Sequence, residues 1–352
     1  MNTKITGTGS FIPPSIETNK NFREHEFLNI DGSVFKEDTH TIIEKFKAIT
    51  GISERRYVAE DFTTSDIAFF AAEKAIQDSK INPETLDYII VAHNFGDVKC
   101  GTDQSDMVPS IATRVKHQLK IENPKCVAYD MVFGCPGWVE GSIQAHAFIK
   151  SGMAKKCLVI GAETLSRVVD KHDRDSMIYS DGAGATVWEA TEENGGILAH
   201  ESATHSLHEA NYIFFGHSYK KDLPENTRYI KMHGRKIYNF ALTHVPNAMK
   251  SCLDTSGIAI DEVKKIFIHQ ANLKMDEAIV ERFYELYGKT QPKDIMPMSI
   301  ATLGNSSVAT IPTLYDLFLH GEFKNQSLEK GDVVIFASVG AGMNINAIVY
   351  RY

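Results

Sequence analysis

A strand, a glycine hinge and a helix follow one another twice along this chain of 352 residues. The first copy reads L-D-Y-I-I-V-A-H-N-F at 86–95 and continues through a hinge and helix at 133–152. The second copy reads V-K-K-I-F-I-H-Q-A-N at 263–272 and continues through a hinge and helix at 303–321. Because strands alternate with helices and the pattern is duplicated, we predict an α/β fold made of two related units.

The duplication predicts two halves of similar size, 1–190 and 191–352. A chain of this length can form two domain-sized cores. We expect the two units to pack with both hinges facing a shared crevice at the strand ends, where open α/β sheets usually bind ligands. Residues that are distant in the sequence should therefore meet in that crevice.

The first hinge carries a cysteine. Cys135 lies between an apolar strand pattern and a helical one, and glycines at 134 and 137 flank the turn. Pro136 suits the first position of a helix, which predicts that Cys135 is the helix N-cap. The positive end of a helix dipole favours a thiolate, so this thiol is expected to be nucleophilic. The alternative interpretation is a buried structural cysteine.

Three further groups are expected in the crevice: His269, Asn305 at the second hinge, and the turn formed by Gly340, Ala341 and Gly342. A thiolate can attack an acyl thioester and hold the acyl group. The backbone N–H groups of Cys135 and of the glycine turn could stabilise the oxyanion, while His269 and Asn305 could stabilise an enolate formed by loss of CO2. Each group also has a structural interpretation: a core histidine, a helix-capping asparagine and a sterically required turn.

Composition excludes several classes of function. The net charge is −8 and no extended Lys/Arg cluster occurs, which argues against nucleic-acid binding. The five cysteines form no C-x-x-C pair and cannot all be paired, which predicts reduced thiols and a cytoplasmic location. No apolar run resembles a signal peptide or approaches the length of a membrane span, so neither export nor a membrane partner is expected.

A group of histidines, His200, His205, His208 and His217, includes an H-x-x-H spacing. No carboxylate or thiol at the usual spacing completes a metal site. We therefore predict that these histidines are structural or line a tunnel, and that the chain binds no metal.

Seven motifs together identify a family. They are K-I-T-G-T-G-S-F-I-P at 4–13, T-G-I-S-E-R-R at 50–56, the Cys135 hinge, D-G-A-G-A at 181–185, H-Q-A-N at 269–272, G-N-S-S at 304–307 and G-A-G-M at 340–343. With them the chain resembles, over essentially its whole length, 3-oxoacyl-(acyl-carrier-protein) synthase III, the initiating ketosynthase of the thiolase superfamily. H-Q-A-N followed by G-N-S-S is the specific part of this signal.

The resemblance implies a thiolase fold with two pseudo-repeated halves in five αβαβα layers, and a homodimer. It implies a catalytic triad of Cys135, His269 and Asn305, with oxyanion-binding N–H groups at Cys135, Ala341 and Gly342. It further implies an acyl-CoA or acyl-carrier donor, a malonyl thioester on an acyl carrier protein as acceptor, a role in fatty acid biosynthesis and no cofactor.

Departures from the family pattern concern the substrate. The residues after the nucleophile are Pro136 and Trp138 in G-C-P-G-W, which predicts that Trp138 contacts substrate in a reshaped acyl pocket. The segments 21–45 and 94–107 are longer than in the family and are expected near the tunnel mouth.

The usual CoA clamp is also altered. Where the family often has a tryptophan that stacks on adenine, this chain has Lys45 and Phe46, and a common arginine is replaced by Ile49. Arg174 is retained in the matching D-R pair. We therefore predict a donor other than acetyl-CoA, with Arg174 among the binding residues.

For carrier docking, the resemblance directs attention to the basic stretch Lys231–Lys236, which contains Arg235, and to Lys274. Positive charge at these positions suits an acidic carrier and its phosphopantetheine. Solvated surface lysines are the alternative. Asn272 is expected to orient the loop that carries His269.

The resulting hypothesis is a decarboxylative Claisen condensation. In this scheme Cys135 takes the acyl group, and His269 with Asn305 decarboxylates a malonyl thioester to give a 3-oxoacyl product. Two alternatives are acyl transfer to a hydroxyl, amine or specialised-metabolite acceptor without decarboxylation, and a non-catalytic partner subunit.

Overall fold

The computed structural model describes residues 1–223 and 226–352 and contains fifteen strands and eight α-helices in these ranges. The strands are β1 Asn2–Phe11, β2 Ser15–Thr18, β3 Glu54–Tyr57, β4 Tyr88–Ala92, β5 Asp97–Val98, β6 Ser105–Asp106, β7 Val127–Met131, β8 Lys156–Thr164, β9 Asp181–Thr191, β10 Gly196–Thr204, β11 Ile213–Gly216, β12 Tyr229–Met232, β13 Val263–Ile268, β14 Val333–Gly340 and β15 Asn344–Arg351. The helices are α1 Thr39–Thr50, α2 Thr64–Ser79, α3 Ile111–Gln118, α4 Gly137–Lys150, α5 Gly234–Ser256, α6 Leu273–Glu285, α7 Ile300–Leu303 and α8 Thr310–Leu319.

Two sheets form the centre of the fold. The first has the order β1-β9-β8-β4-β7, with β4 parallel to both β7 and β8 and the remaining pairs antiparallel. The second has the order β10-β15-β14-β13, with β13 parallel to β14 and the remaining pairs antiparallel. The predicted strands at the start of each repeat are confirmed as β4 and β13.

Helices cover both sheets and fill the space between them. Apolar side chains of α2 and α3 pack on the outer face of the first sheet, and those of α5 and α6 pack on the outer face of the second. The helices α4 and α8, which follow the two hinges, share a third core with the inner faces of both sheets. This order of layers confirms the predicted five-layer αβαβα thiolase fold.

A fourth apolar cluster covers the crevice. It joins Phe22 and Phe27 to α1 residues such as Ile42 and Phe46, and to the segment 165–179. The helix α1 begins where the Asp38 carboxylate accepts a hydrogen bond from the Thr41 backbone N–H (2.7 Å), as expected for an N-cap. This apolar cluster places α1 over the crevice.

The segment 94–107, which is longer than in the family, contains the short paired strands β5 and β6. None of the helices among the described residues is both long and apolar enough to cross a membrane.

Candidate active site

One cavity of about 580 Å³ contains the three residues that the sequence singled out. Cys135 reaches it from the first half of the chain, and His269 and Asn305 reach it from the second. Most other lining side chains are apolar, including Phe95 and Phe215. The cavity therefore combines an apolar interior with a few polar groups, a composition typical of small-molecule sites.

Cys135 lies between β7 and α4, as predicted, but it is not the helix N-cap. The helix begins at Gly137 with Pro136 as its N-cap, one residue later than expected. Gly134 has a φ of 71°, a conformation that favours glycine. A Cβ at Gly340 would lie 2.5 Å from the Cys135 backbone nitrogen, so the glycine turn and the cysteine hinge are in direct contact.

The surroundings of Cys135 oppose the thiolate preference that the helix dipole predicts. Burial raises the pKa of the Cys135 thiol to about 11, and the nearby Glu163 carboxylate acts in the same direction. The hydroxyl of Ser307 donates a hydrogen bond to the Cys135 sulfur (3.4 Å), which opposes this rise in pKa. The backbone N–H groups of Cys135 and Ala341 also lower the pKa.

His269 follows β13 directly and is almost fully buried. Its backbone N–H donates to the Ala337 carbonyl oxygen (2.9 Å), which extends the sheet register by one residue. Burial lowers the pKa of His269 to about 4, so the imidazole is neutral at pH 7. Among the described residues its Nδ1 has no hydrogen-bond partner.

The loop after His269 is held mainly by Gln270, a residue the sequence analysis did not single out. Its Nε2 donates to the Pro297 carbonyl oxygen (2.8 Å), and its Oε1 accepts from the Ser299 backbone N–H (2.9 Å). Asn272, which was expected to orient the loop, instead caps α6 by accepting a hydrogen bond from the Met275 N–H (3.2 Å).

Asn305 is fixed by both its backbone and its side chain. Its backbone N–H donates to the Ile178 carbonyl oxygen (3.0 Å), and its carbonyl oxygen accepts from the Ser180 N–H (2.8 Å). The side-chain Oδ1 accepts from the Ser307 N–H (2.7 Å). Asn305 is not the cap of α8, whose N-cap is Ala309. Because Oδ1 is already occupied, the amide Nδ2 is the atom left to contact a ligand.

The predicted substrate-binding residues occupy different places. Arg174, Arg235 and Asn272 line the cavity. Arg174 also lies over the Phe35 ring, 5.4 Å from its centroid. Lys274 is exposed and is not among the lining residues of the described chain.

Trp138 does not lie where the sequence analysis expected it. Its side chain is 1% exposed and packs between the two sheets, with its ring centroid 5.5 Å from that of Phe336. The indole N–H donates to the Thr186 hydroxyl (3.2 Å). The prediction that Trp138 contacts substrate is therefore wrong. The helical turn after the hinge points this residue into the core.

Lys231 also cannot dock a carrier in this structure. It is 1% exposed, and its Nζ lies 2.6 Å from an Asp170 carboxylate oxygen and 3.1 Å from one of Asp173. The exposed cations of the basic stretch Lys231–Lys236 are instead Arg235 and Lys236, at the start of α5.

The histidine group contributes nothing to the cavity. His205 packs against Phe240 and His244, and none of His200, His205, His208 and His217 is among the lining residues of ranges 1–223 and 226–352. Over the same ranges, no group of three or more His, Cys, Asp or Glu side chains is placed to hold a metal ion.

Three polar residues near Cys135 were missed. Asn94 follows β4, Glu163 lies near the end of β8, and Ser307 follows the second hinge. A signal was present, because β4 and β8 are parallel neighbours and their carboxyl ends meet at one edge. Polar residues at those two strand ends could have been predicted to lie together.

Two family models match this chain: 3-oxoacyl-[acyl-carrier-protein] synthase III at residues 129–206 and its C-terminal domain at residues 253–352. Beta-ketoacyl-[acyl-carrier-protein] synthase III of Aquifex aeolicus is 32% identical over 354 residues, covering 100% of both chains. The enzyme of that name from Staphylococcus haemolyticus is 30% identical, covering 100% of this chain and 99% of the relative.

Solved structures agree with these sequence relatives. The crystal structure of 3-oxoacyl-[acyl-carrier-protein] synthase III from Aquifex aeolicus superposes with a TM-score of 0.80 at 29% identity, covering 99% of this chain and 100% of that one. The synthase III structure from Thermus thermophilus gives the same TM-score and identity, covering 99% and 98%. The chain therefore belongs to the 3-oxoacyl-[acyl-carrier-protein] synthase III family.

Proposed function

We propose that this protein is an acyltransferase of fatty acid biosynthesis that condenses an acyl thioester with a malonyl-carrier thioester to give a 3-oxoacyl product, with loss of CO2. The observation that carries the proposal is the convergence of Cys135, His269 and Asn305 on one cavity in a member of this family. The roles given below to individual residues are part of the same proposal.

In the first half-reaction the Cys135 sulfur attacks the carbonyl carbon of the donor thioester. Backbone N–H groups of Cys135, Ala341 and Gly342 stabilise the tetrahedral oxyanion. Collapse of this intermediate breaks the bond to the donor sulfur. The donor thiol leaves with the proton that Cys135 gave up, and the acyl group stays on the enzyme.

In the second half-reaction a neutral His269 and the Asn305 amide each donate a hydrogen bond to the malonyl thioester carbonyl oxygen. The carboxylate leaves as CO2, and its bonding electrons form the enolate that these two donors stabilise. The enolate carbon then attacks the acyl carbonyl, a carbon–carbon bond forms, and the bond to the Cys135 sulfur breaks. The lowered pKa of His269 means that the imidazole acts in its neutral form, which has one N–H to donate.

Binding of an acyl-CoA or acyl-carrier donor is supported by the cavity lining. Arg174 and Arg235 line it beside apolar groups, which suits a phosphorylated arm that ends in an acyl chain. Lys45, Phe46 and Ile49 of α1 also line it, at the positions where the usual CoA clamp is changed. We therefore expect a donor other than acetyl-CoA.

Docking of the acyl carrier protein is assigned to the exposed Arg235, Lys236 and Lys274. They are exposed positive charges on a chain whose net charge is −8, and they would attract an acidic carrier. Lys231 is not included because it is buried in an ion pair.

Condensation is favoured over the two alternatives considered. Acyl transfer without decarboxylation would not need a paired imidazole and amide beside the nucleophile, and a non-catalytic subunit would need none of the three groups. His269 and Asn305 both line the cavity, so the decarboxylating reaction explains more of the site.

The experiment compares wild type, Cys135→Ala and Cys100→Ala, since Cys100 is an exposed free thiol. Each protein is incubated with a mixture of acyl-CoA donors and examined by intact-protein mass spectrometry. Wild type and Cys100→Ala should gain an acyl mass and Cys135→Ala should not. If Cys135→Ala acquires the acyl mass, Cys135 is not the nucleophile.

A second measurement follows CO2 release from malonyl carrier in a single turnover. His269→Ala and Asn305→Ala should still become acylated but should release CO2 at least a hundredfold more slowly, because removal of one such donor commonly costs 10²–10³ in rate. Product formation without CO2 release by wild type would favour acyl transfer over condensation.

We further propose two halves, 1–190 and 191–352, a homodimer and a cytoplasmic location. The division is supported by the strand assignment, since the first sheet uses strands up to β9 and the second starts with β10. The homodimer is supported by β7, an edge strand with exposed Val127 and with Val132 exposed just after it. The five cysteines are all free, which fits a reducing compartment.

A further inference from the structure

Ser307 connects the candidate nucleophile to a buried polar chain. Its hydroxyl donates to the Cys135 sulfur (3.4 Å) and accepts a hydrogen bond from Asn94 Nδ2 (3.1 Å). The same Asn94 nitrogen donates a short hydrogen bond to Glu163 Oε1. Ser307 and Glu163 are almost fully buried, so water does not compete strongly for these contacts.

The direction of each hydrogen bond follows from the chemistry of the groups. Glu163 offers carboxyl oxygens, so the Asn94 amide turns its NH2 group towards Glu163 and Ser307 rather than its oxygen. The Ser307 oxygen accepts from Asn94 through one of its two lone pairs, and its own proton remains to be donated to the Cys135 sulfur. If the Asn94 amide were reversed, its oxygen would take the Ser307 proton and the sulfur would lose this donor.

The backbone at Ser307 is strained in a way that fits this role. Its φ is 53°, in the left-handed region that residues other than glycine rarely adopt. The Asn305 side chain holds this conformation by accepting a hydrogen bond from the Ser307 N–H (2.7 Å). Strained residues of this kind persist where the surrounding structure fixes them and are concentrated at functional sites.

We propose that Ser307 is a further catalytic residue, whose hydroxyl stabilises negative charge on the Cys135 sulfur, and that Asn94 and Glu163 are positioning residues that direct its proton. The proposal rests on the proposed role of Cys135 as nucleophile. It assigns to Ser307, Asn94 and Glu163 the stabilisation that the sequence predicts from the helix dipole.

Other groups around the sulfur do not replace this donor. The Cys135 and Ala341 N–H groups also lower the thiol pKa, but in the proposed reaction they bind the oxyanion. Glu163 is itself mostly uncharged at pH 7, because burial raises its pKa to about 8. A carboxyl oxygen that carries no proton can accept from Asn94 in either protonation state.

The test measures thiol reactivity without any substrate. Purified wild type and Ser307→Ala are treated with iodoacetamide between pH 7 and 9.5, and alkylation of Cys135 is followed by peptide mass spectrometry. Loss of a hydrogen bond to a charged sulfur should raise the thiol pKa by about one unit, which slows alkylation about tenfold at each pH. Ser142→Ala is the matched control, because it removes a buried hydroxyl from α4 whose one partner within residues 1–223 and 226–352 is the Trp138 carbonyl oxygen (2.8 Å).

Two further variants keep the test decisive. Ser307→Gly also removes the hydroxyl but relieves the left-handed strain, so it should fold even if Ser307→Ala does not, and it should show the same tenfold loss. Asn94→Leu removes the amide at similar volume and should also slow alkylation, by a smaller factor. Circular dichroism confirms that each protein is folded.

The results separate this inference from the proposed function. If the folded Ser307 variants alkylate Cys135 at the wild-type rate while wild type still forms an acyl-enzyme, Ser307 has no catalytic role and the function stands. If Cys135→Ala also becomes acylated, the nucleophile is another residue and both proposals fail.

Discussion

The contact between the cysteine hinge and the glycine turn can be tested by adding one methyl group at Gly340. A Cβ there would lie 2.5 Å from the Cys135 nitrogen, 2.7 Å from Pro136 Cδ and 2.8 Å from Cys135 Cβ. All three atoms belong to the backbone or to groups fixed directly on it, so no side-chain rotation removes the overlap. Gly340 has a φ of −167°, which any residue can adopt, so the effect of alanine is purely steric.

The expected magnitude follows from the size of the overlap. Carbon atoms pack best at about 3.5–4.0 Å, so the turn must move away from Cys135 by roughly 1 Å. Such overpacking typically costs about 1–3 kcal/mol of stability. A displacement of about 1 Å between reacting groups can cost about 10² in rate. Gly340→Ala should therefore remain folded but form the acyl-enzyme about a hundredfold more slowly than wild type.

The assay is the rate of acyl-enzyme formation measured by mass spectrometry, with urea unfolding to measure stability. Gly182→Ala is the matched control, because its new Cβ would meet its nearest neighbours, the Phe11 carbonyl oxygen and Ser306 Cβ, at 3.6 Å. That variant should change the free energy of unfolding by less than about 0.5 kcal/mol. If Gly340→Ala acylates as fast as Gly182→Ala, the close approach of turn and hinge is not required for catalysis.

Three other changes give distinct outcomes. In a Cys135→Ala background, CO2 release should not change between pH 8 and 5.5, because His269 stays neutral over that range; a change centred near pH 6.5 would contradict the lowered pKa. Lys231→Met should cost about 3–5 kcal/mol in urea unfolding, because it leaves the carboxylates of Asp170 and Asp173 buried without their cation. Arg235→Ala should leave stability within about 0.5 kcal/mol and raise the KM for the carrier thioester; an unchanged KM would remove Arg235 from the docking surface.

Much of the fold could be predicted because it depends on local and repeated patterns. Short apolar runs predict the strand 88–92 and the strand beginning at 263; the first is an inner strand of its sheet, and the second lies at the end of the strand order of the other sheet. The duplication then placed the two hinges opposite each other. Because open α/β units bind ligands at the carboxyl ends of their strands, the sequence places Cys135 and His269 at a crevice shared by the two units.

The sequence gives a wrong role for residues whose contacts depend on distant segments rather than on their position in the chain. Trp138 follows the nucleophile closely, but helical geometry turns it into the core between the sheets. Lys231 lies in a basic stretch, but Asp170 and Asp173 come from a segment 58 to 61 residues away and enclose it. Neither contact could be inferred from local spacing, because both depend on how distant segments pack.

The protonation states of Cys135 and His269 also depend on the surroundings of each side chain. They explain why the Cys135 sulfur needs additional hydrogen-bond donors. Burial disfavours charge on any group, so it raises the pKa of the Cys135 thiol and lowers the pKa of the His269 imidazole. At pH 7 the site therefore holds a neutral thiol and a neutral histidine, not an ion pair. A neutral histidine suits donation to the malonyl carbonyl, whereas a neutral thiol is a poor nucleophile. In the proposed reaction the apolar cavity therefore favours the second half-reaction at the expense of the first, and the hydrogen bond from Ser307, which lowers the thiol pKa, offsets that cost at the sulfur.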